Sequence, residues 1–414
     1  MKRAVVVGAG AREHAIAWGL ARDGADVTVT PGNAGMAAAG LSCVTTSPVE
    51  LEAELFVVGP ETPLVAGLAD ILRSQGKAVF GPNADGAQLE GSKAYMKEFL
   101  AAANVATAAY GAFRDIDEAL RFLDTMKPPY VIKTDGLAAG KGVLVTASLA
   151  EAQQDVRDKL SGEAFGVAGS TIVIEEGLIG TECSLLVLCD GERAEPLLPA
   201  RDFKRVGDGD TGPNTGGMGA FAPLGSMTSE DIAVAMKTIV DPTVRELRRR
   251  GIEYRGVLYA GIMATAEGPK LLEYNVRFGD PETEVIVPLI SCDLFELLFE
   301  VATGSLRTTP TFLPAHAVTV VVAAPGYPVA PQTGSIIHGL GEDGQLATPR
   351  RNVTVFHAGT SRDEEGHFLT AGGRVLTVTA VAPSRLEART MAYEAANTIT
   401  FPGRVLRNDV AEKE

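Results

Sequence analysis

The chain has 414 residues, 46% of them hydrophobic and 21% charged, which suits about two to four folded domains and excludes an intrinsically disordered chain. Lys and Arg number 37 against 52 Asp and Glu, so the formal charge is −15; nucleic acid and anionic membranes are poor partners for such a chain, although one local phosphate site needs only a few cations. Glycine is in excess at 46 residues. An average usage of ~7% gives roughly 29, and no collagen period absorbs the surplus, so it must lie in loops.

The elements alternate from the start. AVVV (4–7) reads as a short buried strand, followed by a glycine turn and a helical run from Arg12 to Arg22. Strand patterns recur at 25–30, 55–59 and 77–81, with a helical run over 62–75, so a parallel sheet flanked by helices fills about the first 90 residues. A helix is expected from Ser92 to about Ala103. Two β-branched runs joined by a glycine loop span 129–146, and strands follow at 171–176 and 183–189. Residues 201–220, rich in Gly, Asp, Pro and Asn, read as an irregular stretch of the kind that is usually functional or disordered. A helical period at 229–250 precedes strands at 256–264 and 270–276. Beyond Pro310, strands at 316–324, 353–357 and 374–381 and a helix at 385–398, opened by the capping pair Ser384 and Glu387, make a small α+β domain.

The four Cys (Cys43, Cys183, Cys189 and Cys292) have no CxxC spacing, and the five His form no HExxH, so no zinc site is visible. Scattered cysteines fit a reducing compartment. The apolar run after Met1-Lys2-Arg3 is too short for a signal peptide, and nothing approaches the ~20 apolar residues of a membrane span. A cytoplasmic protein is expected.

Three constellations carry chemistry. Gly8-Ala9-Gly10-Ala11-Arg12-Glu13 follows a strand and opens a helix, but Glu13 stands at the third glycine position of a GxGxxG fingerprint, with its carboxylate facing any incoming phosphate. The turn suits a phosphate-bearing small substrate better than NAD; a plain tight turn is the alternative. Gly136-Leu137-Ala138-Ala139-Gly140-Lys141-Gly142 differs from a P-loop in spacing, in lacking Ser/Thr, and in having strands on both sides. It reads as a flap carrying Lys141 over phosphates. Lys133 ends an apolar run, a costly place for an ammonium unless an anion meets it. Lys93 and Lys97 lie i,i+4 on one helix. Finally, the strand KLLEYNVRFGDPE puts Glu273, Asn275 and Arg277 on one face and Leu272, Tyr274 and Val276 on the other. Two hard oxygens followed by a guanidinium suit a divalent cation bridging phosphates, or an exposed edge with an ion pair.

These segments together resemble the ATP-grasp ligases, and within them the phosphoribosylamine–glycine ligase (glycinamide ribonucleotide synthetase) family. The resemblance runs through GAGAREHA (8–15), PGNAG (31–35), GPETPL (59–64), LEGSKAYMK (89–97), KTDGLAAGKGV (133–143), VIEE (173–176), DFKR (202–205), GPNTGGMGA (212–220), LLEYNVRFGDPETE (271–284), VFHAGT (355–360) and GGRVLTVTA (372–380). It implies a Rossmann-like N-terminal domain over 1–98 that binds phosphoribosylamine, an ATP-grasp domain over 99–310 with a flap subdomain at about 121–190, and a C-terminal domain over 311–414. It implies ATP, and one or two Mg²⁺ or Mn²⁺ ions on Glu273 and Asn275. Lys97 and Lys133 would contact ATP phosphates under Gly136, Gly140, Lys141 and Gly142. Glu175, Glu176, Gly177 and Leu178 would line the adenine hinge, with Glu182 at the ribose. Lys204, Arg205 and Asn214 belong to a loop beside the phosphates, while Asp202 and Arg277 hold glycine. Gly10, Ala11, Arg12, Glu13, Pro31, Gly32, Asn33, Pro60 and Glu61 would meet phosphoribosylamine, and Asp280 is a further expected substrate-binding residue. Arg277, Lys133, Asp202 and Lys204 are the expected catalytic set. Small molecules are the expected partners of a monomer or weak dimer, and another ATP-grasp amide ligase is the alternative reading. Ala11, Arg201, Phe203 and Glu284 replace the commoner Gly, Gln, His and Gln of the family.

Overall fold

The computed structural model describes residues 2–137, 142–161 and 170–413. The first five strands form one parallel sheet in the spatial order Ser42–Cys43, Asp26–Pro31, Arg3–Gly8, Leu55–Val58, Val79–Phe80. Helix Ala11–Arg22 covers one face. The helical run expected over 62–75 is two helices, Glu61–Val65 and Leu68–Ser74, because Gly67 between them adopts φ +86°, a left-handed conformation that ends one helix and starts the next.

Two antiparallel sheets follow. The smaller joins Tyr110–Phe113, Ile172–Glu176, Tyr130–Thr134 and Val143–Thr146, backed by helices Ile116–Leu123 and Leu149–Leu160. It has its own apolar core, built from Leu123, Ile132, Val156, Ile172 and Ile174 among others. This layer spans 110–176 rather than about 121–190: Tyr110–Phe113 pairs with Ile172–Glu176, whereas Thr181–Cys189 pairs with Gly256–Thr265 in the central sheet. The central sheet runs Ala194–Pro196, Thr181–Cys189, Gly256–Thr265, Gly268–Asn275.

The last sheet has the order Arg201–Asp202, Gly219–Ala222, His316–Ala323, Arg374–Ala382, Val353–His357. Its first two strands come from the stretch expected to be irregular, so the sheet crosses the boundary expected at 310. Helix Arg385–Ala396 packs on it, and the Ser384 hydroxyl accepts from the Glu387 amide at 3.3 Å while also meeting Glu387 Oε2 at 3.1 Å.

The first and last domains meet at two buried histidines. The amide of His357 donates to His14 Nδ1 at 2.9 Å, and the His357 ring nitrogens are 2.9 Å from Thr360 Oγ1 and 2.8 Å from the Gly344 carbonyl oxygen. Gly35 is required where it stands, since a Cβ there would lie 1.9 Å from the His357 ring. Burial pushes His14 down to about 3 and His357 down to about 4. Because both folded values lie below the ordinary histidine range, the unfolded chain binds protons first, and stability is lost as pH falls below about 6.5. At pH 5 each histidine should cost about 2 kcal/mol. Chemical denaturation between pH 7 and 5 should therefore show a shallower loss for His14→Gln than for the parent chain; equal slopes would refute the assignment.

Candidate active site

A cavity of about 760 Å³ opens between the small and central sheets, and the first domain and the 201–216 segment close its rim. Strand Tyr130–Thr134 brings Lys133 into it, strand Gly268–Asn275 brings Glu273 and Asn275, and helix Lys93–Ala103 points its N-terminal residue Lys93 at the same space. Asp135 ties the flap's base to that helix, accepting from the Lys93 amide at 2.6 Å and the Ser92 hydroxyl at 3.1 Å.

The two lysines of the i,i+4 pair separate. Lys93 lines the cavity and donates to the Gly136 carbonyl at 2.9 Å. Lys97, expected at the phosphates, is 0% exposed and lines no part of the cavity. Its ammonium lies 3.2 Å from Glu175 Oε1 and donates to Thr107 Oγ1 at 2.7 Å, and burial pushes it down to about 8. Lys133 meets its anion inside the protein, at 3.1 Å from the same Glu175 oxygen, and donates to the Leu272 carbonyl at 3.3 Å. Leu272 is the extra residue of a bulge: Gly261 pairs with Glu273 but Ile262 with Leu271. Leu272 lines the cavity beside Glu273, and so does Tyr274, which pairs regularly with Ala260, although strand alternation puts both on the opposite face.

Glu273 has the electrostatics of an ionised ligand. Burial opposes its charge, yet Lys204, Lys133, Lys93 and Arg277 together hold its carboxyl below the ordinary range. Among the described residues no three His, Cys, Asp or Glu side chains converge as a closed metal cage. A carboxylate and an amide oxygen in an open cleft instead fit a hard divalent ion that completes its shell with water and phosphate oxygens. Lys204 bridges the acidic groups, paired with Glu182 and 4.0 Å from Glu273 Oε1. Arg277 lies 3.0 Å from Glu90 and 3.4 Å from Glu61; burial opposes its charge, but these carboxylates favour it. Glu176, Gly177, Leu178, Asp202, Arg205, Asn214, Gly136 and Gly142 all line the cavity. The amides of Glu176 and Gly177 are already committed to Ala109 and Pro129 carbonyls. Gly140 and Lys141 lie outside the described residues.

A second cavity of about 450 Å³ lies between the first domain and the C-terminal sheet, lined by Gly10, Gly32, Asn33, Thr360, Asp280 and Arg374 among others. The Asp280–Arg374 ion pair, 2.9 Å across, belongs to both cavities and forms the wall between them. Arg12, Pro60 and Glu61 face the larger cavity; Ala11, Glu13 and Pro31 line neither. Glu13 does not face incoming phosphate. It folds back to accept from the Gly10 amide at 2.7 Å and from Arg12 Nε at 2.6 Å, so it occupies an amide that an anion would need. Glu90 has no sequence signal as a functional position, and Lys93 only an i,i+4 pairing with Lys97, because helical spacing alone does not orient a face; Thr360 and Arg374 lie within VFHAGT and GGRVLTVTA, segments that carry the resemblance without giving either residue a role. Glu284, in place of the family's Gln, is 0% exposed with neither oxygen hydrogen-bonded among the described residues. Burial and the Asp280 charge push its carboxyl up, and a neutral acid can donate and accept as an amide does.

Two sheets closing on a cation-lined cleft define an ATP-grasp protein. The biotin carboxylase domain of the Hydrogenobacter thermophilus 2-oxoglutarate carboxylase shares this fold with a TM-score of 0.73 at 17% identity, covering 98% of this chain and 91% of that one. Three family models divide the sequence: phosphoribosylglycinamide synthetase N domain over 2–90, its ATP-grasp (A) domain over 91–283 and its C domain over 317–413. A Xanthomonas campestris protein named phosphoribosylamine–glycine ligase is 44% identical over 98% of this chain and 96% of its own length. The crystal structure of the Thermotoga maritima phosphoribosylamine–glycine ligase gives a TM-score of 0.86 at 36% identity, covering 98% and 99% of the two chains. The chain belongs to the phosphoribosylglycinamide synthetase family and is an ATP-grasp ligase.

The separated lysines give opposite expectations. Lys97→Met should cost about 3 kcal/mol in chemical denaturation by stripping a buried carboxylate of one partner. Lys93→Met should leave stability nearly unchanged while weakening MgADP at least about tenfold in calorimetry.

Proposed function

We propose that this chain joins glycine to 5-phosphoribosylamine with cleavage of ATP to ADP and phosphate, giving glycinamide ribonucleotide for purine biosynthesis. The observation that carries this is the shared wall: a large cleft in which lysines and arginines stand among carboxylates, suited to ATP with a divalent ion and an amino acid, adjoins a smaller cavity built from the first turn and the C-terminal loops, and Asp280 and Arg374 face both. Two substrates bound on either side would meet at that wall. The relatives' printed names and the charge of −15 support small molecules as its partners.

In this reading Lys93, Lys133 and Lys141 hold ATP phosphates. Glu273 and Asn275 hold one or two Mg²⁺ or Mn²⁺ ions, which when bound would offset charge on the phosphoryl oxygens. Arg277 orients the glycine carboxylate and Asp202 its ammonium. A glycine carboxylate oxygen attacks the γ-phosphorus, the bond to ADP breaks, and glycyl phosphate forms. The phosphoribosylamine nitrogen then attacks the acyl carbon, phosphate leaves, and the nitrogen loses a proton. Lys204 stands where it can offset charge during both transfers. Acyl phosphates hydrolyse, so the 136–142 flap and the 203–218 segment must exclude water. ADP release should require glycine, phosphoribosylamine and Mg²⁺ together. Coupled ADP assays across other amine and acid pairs test this, and turnover with another pair but not this one would overturn it.

Asp202 adds a pH signature. Burial, opposed by Lys204 and reinforced by Glu282 and Glu182, pushes its carboxyl up to about 8. Only the ionised form attracts an ammonium, so KM for glycine should rise as pH falls below about 8, approaching tenfold per unit. Asp202→Asn should show a high KM without that dependence; a parent profile flat from pH 6 to 8.5 would remove Asp202 from the ammonium site.

A further inference from the structure

Among the described residues the hairpin Arg205–Gly207 with Thr211–Asn214 pairs with no other strand, and a lone two-stranded ribbon is marginal in water. Its inner side nonetheless supplies Arg205, Asp210 and Asn214 to the larger cavity. What holds it is the end of the chain, about two hundred residues away in sequence. The Arg407 side chain is 1% exposed. Its NH1 donates to the Arg205 carbonyl at 3.1 Å and to Asp210 Oδ1 at 2.8 Å. Its Nε and NH2 bind Asp409 in a fork at 2.7 and 2.6 Å, and Asp409 in turn accepts from the Gly209 amide at 2.9 Å. Asn408 grips Asp208 through its amide at 2.6 Å and its side chain at 2.9 Å.

The chemistry requires each part. Asp409 fixes the guanidinium plane, leaving one nitrogen aimed at the hairpin, a geometry that a lysine ammonium cannot reproduce. The guanidinium also lies 4.9 Å over the Phe203 ring at the hairpin's root. Asp210, with φ +55° and a carboxylate at the cavity rim, would repel anionic ligands; Arg407 takes up that charge from behind.

We propose that residues 407–409 are a latch that sets the position of the cavity-facing hairpin, and that Arg407 is a positioning residue for nucleotide binding, acting through the hairpin without touching the ligand. The functional half rests on the larger cavity being the ATP site. Arg407→Lys, and the exposed-rim variants Asp208→Ala and Asn408→Ala, which leave the buried fork intact, provide the test. Hydrogen exchange of the 205–214 amides should accelerate by about tenfold or more in Arg407→Lys, and less in the rim variants. KM for ATP should rise about five- to twentyfold, in the same order, with kcat within about twofold. Saturating MgATP should restore protection of the hairpin. If Arg407→Lys does not fold, the two rim variants carry the same comparison. Faster exchange with unchanged KM for ATP, or raised KM with unchanged exchange, would overturn the latch. Absence of ATP binding by the unmodified protein would overturn the cavity reading instead and leave the exchange result to judge the tether alone.

Discussion

One buried carboxylate ties the nucleotide cleft together. Glu175 Oε1 lies 3.2 Å from the Lys97 ammonium and 3.1 Å from that of Lys133. Glu175 belongs to the small sheet, Lys133 to its neighbouring strand, and Lys97 to the helix that leads in from the first domain. Lys97 also reaches Thr107, whose hydroxyl donates to the Leu271 carbonyl of the central sheet at 2.7 Å. Two cations therefore hold their carboxylate partner where all three would be costly to bury alone, and the two sheets that form the cleft are joined through them. Replacing the cluster with apolar groups would preserve volume but remove the field that holds Lys133 at the cavity edge.

Much of this was legible before any coordinates. Glu273, Asn275 and Arg277 of KLLEYNVRFGDPE do line one cavity as expected, but Leu272 and Tyr274, expected on the opposite face, line it too, so the strand's period sorted the two faces only in part. The helix expected from Ser92 to about Ala103 is also present, as Lys93–Ala103 with Ser92 as its cap. What failed were features decided by partners far away in sequence. Which of Lys93 and Lys97 faces the cleft depends on how the helix rotates against Glu175 and Thr107. The bulge at Leu272 depends on the register with Gly256–Thr265. Glu13 reads as a phosphate-facing acid only until the Gly10 amide and Arg12 are seen to absorb it.

The stretch 201–220 shows the same limit most sharply. Its Gly, Asp, Pro and Asn content is that of a loop, and local propensity gives no reason for order. Order arrives from outside: Asp202 pairs with Ala220, Gly219–Ala222 pairs with His316–Ala323, and the Gly216 carbonyl and amide are held by Arg374 at 2.7 Å and the Tyr327 hydroxyl at 3.0 Å. Gly217, at φ +110°, leaves no room for a side chain, since a Cβ would lie 2.4 Å from Pro281. The glycines that look like flexibility in the sequence are close approaches in the fold.

It follows that the C-terminal domain is part of the catalytic architecture, not an appendage to it. The roots of the 203–218 segment are the first two strands of its sheet, Arg201–Asp202 at the edge and Gly219–Ala222 next to it, Arg374 from that sheet closes the wall between the two cavities, and His357 fixes the turn at Asn33 and Gly35 from the other side. A cleft assembled from three separate sheets keeps its shape only if the relative placement of the sheets is fixed, and here ion pairs and buried imidazoles do this at the junctions. An acidic chain can still hold phosphates this way, because individual cations such as Lys133 and Lys204 are set in place by carboxylates at the cleft rather than by a basic surface.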